Sequence, residues 1–193
     1  MTEPLHPTEH RGYRELYAAL AQLKRHWRRL GGRLAGFRVG AQLAAGASTA
    51  DGLLDALTEL TEHRGIYGRP LATGLGGAIA GARNVAFDRL LERNQAVRLA
   101  LLDGHHAREL LAYLGRAAER RGDADAAAFC ESAGKRVGDA TDGVRAGCLE
   151  LAAEPDRAVE PAERSPVGRL ASRLGVAIGT LGELADRGAA TRR

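Results

Sequence analysis

Tyr13, Leu16, Leu20, Leu23, Trp27, Leu30, Leu34 and Phe37 follow one another at alternating spacings of three and four residues. That is the stripe an α-helix presents to a partner along its length. The pattern predicts a first helix from Pro7 to about Ala45, with Thr8 as its N-cap and a bend at Gly31-Gly32, where each glycine costs about 1 kcal/mol of helix propensity. After "GASTADG", Ser48 or Thr49 is placed to cap a second helix over 50–64, with Leu53, Leu54, Leu57 and Leu60 facing the core and Gly65 ending it.

Residues 71–82 carry no charge and are rich in glycine. No strand precedes them as a phosphate-binding loop would require, and twelve residues are too few for a membrane span, so they read as a loop leading into a closely packed helix start. A helical pattern then runs over 83–121 with Val97, Leu101, Leu102, Leu110, Leu111, Tyr113 and Leu114 among its apolar positions; Asp103-Gly104 marks a break or hinge. Gly122 closes that segment and Asp123 caps the next, where Cys130, Val137, Thr141, Val144, Cys148 and Leu151 keep the helical spacing until Pro155.

Residues 155–165, within the stretch "EPDRAVEPAERSP" that holds three of the six prolines, read as a non-helical connection. Ser165-Pro166 opens a last helix with Val167, Leu170, Leu174, Ile178 and Leu181 on one stripe. Gly168, Ser172, Gly175, Gly179 and Gly182 form a second stripe, a small-residue face suited to close approach of another backbone and hence an interaction surface. The expected fold is all-α: one domain over 1–193, an antiparallel bundle of about five long helices, with flexible ends at 1–7 and 188–193.

Composition agrees with this. An apolar share of 45% in 193 residues is enough for a substantial core, and only eight aromatic residues argue against a strand-rich fold. Residues 1–46 carry a net charge of +5 and residues 123–163 a net −6, which suits either packing of opposed faces or recognition of a charged partner. Neither a secretory signal nor a membrane span is present as a pattern, so a cytoplasmic protein without a membrane partner is expected. Cys130 and Cys148, on one helix, are separated by roughly 27 Å and cannot pair.

Candidate chemistry is confined to "HHARE". His105 and Glu109 are four residues apart, and His106 and Glu109 three, so imidazole and carboxylate can share a helix face and one transition metal. Glu59 and His63 make a second such pair on the second helix. The set Glu59, His63, His105, His106 and Glu109 is the candidate metal site, for iron, manganese or zinc. Lys24, Arg25, Arg28, Arg29, Arg33 and Arg38 form a basic row that suits phosphates or an acidic partner. With no helix-turn-helix pattern and few aromatics for stacking, nucleic acid is not the expected partner. Patterns for Ser-His-Asp catalysis, a Walker loop or a dinucleotide fingerprint are absent.

His105, His106 and Glu109 match the HHxxE stretch of hemerythrin-type bundles, but that family needs further histidines on the two following helices and none follows His106. "ELYAALAQL" and "ELLAYLGRAAERRGDADAAAF" resemble helices of the ferritin-like superfamily over about half the chain. The resemblance implies a helical bundle. That superfamily's di-iron sites use an inward Glu and an ExxH on successive helices, and no predicted helix here carries the ExxH. The expectation is therefore a non-catalytic bundle, without cofactor, acting by self-association or protein–protein interaction. The alternative is a ferritin-like metal-binding protein using the five Glu and His residues.

Overall fold

The computed structural model describes residues 5–66 and 91–162. Within them the chain is all-α, with helices α1 (Pro7–Arg33), α2 (Arg38–Glu62), α3 (Arg93–Arg121), α4 (Ala124–Ala152) and the single turn α5 (Pro155–Ala158). The only extended pairing among the described residues is an isolated bridge between Glu92 and Pro161. The small-residue face at 168–182, the predicted last helix, the 71–82 loop and the tail at 188–193 lie outside the described residues.

The heptad stripe of α1 is the spine of the core. Tyr13, Leu16, Leu20, Leu23, Trp27 and Leu30 are all buried, each large apolar side chain contributing about 1.5–3 kcal/mol on removal from water. They meet Leu43, Leu53 and Leu57 from α2, Val97, Leu111 and Leu114 from α3, and Val137 and Val144 from α4 in one cluster. Alanines and glycines fill the narrow places. A Cβ on Gly46 would run into the Trp27 ring, and one on Gly147 would lie 2.8 Å from the Val39 backbone.

Helix neighbours are α1 with α2, α2 with α4, α4 with α3, and α3 with α1, while α2 and α3 stand diagonally with no Cα pair within 8 Å. All four neighbouring pairs run antiparallel: Gly12 faces Leu114 and His26 faces Asp103, while Gly147 faces Val39 and Gly52 faces Arg136. The end of α2 and the end of α3 meet at the start of α4, where Arg64 and Arg121 both bond Asp123. The start of α3 lies at the opposite end, where Arg93 stacks over Phe37 at the α1–α2 turn. The chain between Ile66 and Leu91 therefore joins opposite ends of a bundle whose helices are roughly 40 Å long.

Several expected boundaries move. The first helix stops at Arg33, not near Ala45, because Gly36 takes a left-handed φ of 96° and turns the chain into α2. Leu34 and Phe37 continue the apolar spacing only because both turn residues also pack on the core. "GASTADG" is helical: the Ser48 and Thr49 hydroxyls donate to the carbonyls of Ala44 and Ala45 one turn back instead of capping. The cap of α1 is His6, whose Nδ1 accepts from the Thr8 N–H while Glu9 accepts from the His6 N–H.

Gly31 lies within α1, where its missing Cβ admits the Gly40 carbonyl at the α1–α2 crossing. Asp103-Gly104 is neither break nor hinge, since α3 runs through it with Gly104 buried against Thr141 and Trp27. Pro155 opens α5 rather than a wholly non-helical connection. The described residues thus hold four long helices and one short turn. The α3–α4 turn is as expected, with Gly122 left-handed at φ 72° and Asp123 accepting from the Ala126 N–H. Cys130 and Cys148 both lie on α4, free and far apart along it.

Candidate functional site

His105, His106 and Glu109 sit on the outward side of α3, all exposed. His106 approaches Glu15 of α1, Nε2 to Oε1 3.5 Å, across the α1–α3 groove. Glu59 and His63 are exposed on α2 and its C-cap. Because α2 and α3 are diagonal, the bundle core separates the two Glu/His pairs and does not bring the five candidate ligands together. Among the described residues no three His, Cys, Asp or Glu side chains are grouped as metal ligands.

The basic row of α1 is partly engaged. Lys24 and Arg28 both bond Asp51 of α2, and their hydrogen bonds, Lys24 first, hold the Asp51 carboxyl below its usual range. Arg38 pairs with Glu150 of α4. These are bonds between neighbouring helices at or near the surface, where solvent screens them.

Two buried polar groups escape any pattern search of the sequence. At mid-bundle the His26 Nδ1 lies 2.5 Å from Asp103 Oδ2, and next to it the Trp27 indole N–H donates to the Ala100 carbonyl at 2.9 Å. At the end where α1 begins, Glu9 accepts from Arg121, Arg121 donates onward to Asp123, and Arg64 donates two bonds of 2.7 and 2.6 Å to the same carboxylate. Arg64, with Ala126 and Arg121, holds the Asp123 carboxyl far below the usual carboxylate range. This chain of charges fastens the ends of four helices. The one legible signal was Asp123 as an N-cap; Glu9, Arg64 and Arg121 come from three separate places in the chain.

Beside that network, burial pushes the Cys130 thiol up to about 12 and raises the Tyr13 hydroxyl well above its ordinary value. Tyr13 Oη is buried without a hydrogen-bond partner among the described residues. A thiol so shifted is protonated and inert at neutral pH. The hollows nearby are shallow. One of about 340 Å³ between α3 and α4 is lined by Arg108, Cys130, Glu131, Lys135, Asp139 and Asp142, and one of about 530 Å³ is lined by His6, Pro7, Thr8 and Arg120. In the first no histidine among the described residues stands beside the Cys130 thiol; in the second the His6 Nδ1 lies 2.6 Å from the Thr8 hydroxyl, a contact that belongs to the N-cap of α1.

Exposed large apolar side chains are unevenly placed. Leu99 at 39%, Leu102 at 60% and Tyr113 at 53% exposure lie on α3, Leu149 on α4 and Val159 just after α5, with none on α1 or α2 among the described residues. Leu102 and Tyr113, both among the apolar positions of the helical pattern, point outward. A scan against protein-family models, a search of curated proteins and a search of solved structures each returned no match. No described helix is long and apolar enough to cross a membrane.

Proposed function

We propose that this chain is a non-catalytic helical bundle that works by association, with itself or with another protein, through the outer side of the α3–α4 hairpin. The observation that carries this reading is that, among the described residues, the exposed large apolar side chains lie on α3, on α4 and just after α5, with none on α1 or α2. Water-facing leucine and tyrosine in a row are a docking feature when they cluster, whereas single exposed apolar residues are ordinary. The interior supports the same reading, since its buried ion pairs join helix to helix.

The ferritin-like, metal-binding alternative needs Glu59 and His63 to meet His105, and their separation across the bundle weighs against it. A photoreactive amino acid placed at Leu102, at Tyr113 and, as a control, at the exposed Arg25 of α1 tests the association reading in source cells. Protein adducts from the two α3 positions and none from α1 are expected. No adduct from α3, or equal adducts from all three, would remove the reading.

A further inference from the structure

The outward stripe of α3 reads Leu99, Leu102, His106, Glu109, Tyr113, Arg116, at spacings of three, four, three, four and three. The spacing is the same in both directions about the midpoint between Ala107 and Arg108. The chemistry is complementary about that point: reversal sets Leu102 against Tyr113 and His106 against Glu109. Leu99 falls against Arg116, whose aliphatic stem can lie over an apolar neighbour. All six positions are exposed.

We propose that two copies of this chain pair through α3, antiparallel and about a twofold axis at residues 107–108. A twofold interface requires that a residue facing its opposite number be matched in both directions, and this stripe satisfies that with two Leu–Tyr contacts and two His–Glu contacts. Each His106 then lies between Glu15 of its own chain, already 3.5 Å away, and Glu109 of the second copy, so an imidazole N–H has a carboxylate on either side. A parallel arrangement instead stacks His106 on His106 and Glu109 on Glu109, which like charges disfavour. The α1 face offers no comparable occupant site, since it has no exposed large apolar side chain among the described residues. One helix against one helix is a small interface, so a dimer of roughly micromolar affinity is expected.

The pairing rests on the association reading and adds the partner and the register. In a Cys148→Ser background, full-length Leu102→Cys protein is mixed with Tyr113→Cys protein and oxidised, and each is also oxidised alone. The mixture should give a disulfide-linked dimer and each variant alone should not, because two copies of position 102 are about 16 Å apart along the axis, beyond the roughly 7 Å reach of a disulfide. Leu99→Cys with Arg116→Cys repeats the test with Leu102 and Tyr113 intact. Sedimentation equilibrium of the unmodified protein should show a reversible dimer. A monomer at all concentrations overturns the pairing while leaving association with a different protein standing. A dimer in which Leu102→Cys links to itself, or in which neither mixture links, overturns the register. Loss of α3 adducts in the photo-crosslinking experiment removes the broader reading separately.

Discussion

Trp27 is the residue on which the middle of the bundle depends. Its ring reaches across to Gly46 and Gly104, and its N–H is satisfied by the Ala100 carbonyl, so three helices are shaped around one side chain. Gly46→Val places side-chain atoms in the volume of that ring and is expected to destabilise by about 1–3 kcal/mol in urea unfolding. A change below 0.5 kcal/mol, the usual range for a surface site, would show that the ring can move aside. Cys130 makes a second test at this scale. Its thiol is buried and shifted to about 12, so a thiol reagent at pH 8 should leave it unmodified in the native protein and modify it in urea. The partly exposed Cys148 should react first. Equal native rates for the two would contradict the burial of Cys130.

At the scale of elements, the chief disagreement between pattern and structure is where α1 gives way to α2. Apolar spacing through Leu34 and Phe37 is helical in period, and a positive φ at Gly36 cannot be read from a glycine that has three glycine neighbours within five residues. Ser48 and Thr49 sit in a stretch that resembles a cap and loop, yet both hydroxyls bond backward within α2. Ser48→Ala and Thr49→Ala should therefore each change stability by less than about 0.5 kcal/mol, whereas a true N-cap would cost about 1 kcal/mol. Thermal melts of the two variants decide it. The α3–α4 turn was legible because its signal is local: glycine at the left-handed position, then an aspartate capping the next helix.

At the scale of the whole molecule, the network of Glu9, Arg121, Asp123 and Arg64 closes the bundle at one end. Asp123 titrates far below its ordinary 3.8 when folded, so the stability it contributes is complete above pH 4 and is lost as pH falls below it. Asp123→Asn should flatten the acid limb of a stability-against-pH curve. At pH 7 it should cost about 3–5 kcal/mol, because Arg64 and Arg121 keep their burial and lose their carboxylate. At the alkaline end the sign reverses for Cys130: its contribution is complete below the ordinary 9.0 and fades as pH rises toward 12. Since the five candidate ligands are split between diagonal helices, chelator treatment should leave the melting temperature unchanged, and a fall of several degrees would revive the metal reading.

By itself the sequence determined the all-α class, the buried face of α1, the α3–α4 turn and the isolation of the two cysteines on one helix. These depend on helical period and on neighbours a few residues apart, which a linear pattern records. Tertiary structure alone decided that α2 and α3 stand diagonally, that His26 meets Asp103, that Arg64 and Arg121 share Asp123, and that Leu102 and Tyr113 face outward. Each of those depends on which helix lies beside which, and that order is set by packing of whole faces. The Glu/His pairs show the difference most directly. Spacing of three and four puts two groups on one helix face, but only the arrangement of the helices determines whether two such faces ever meet.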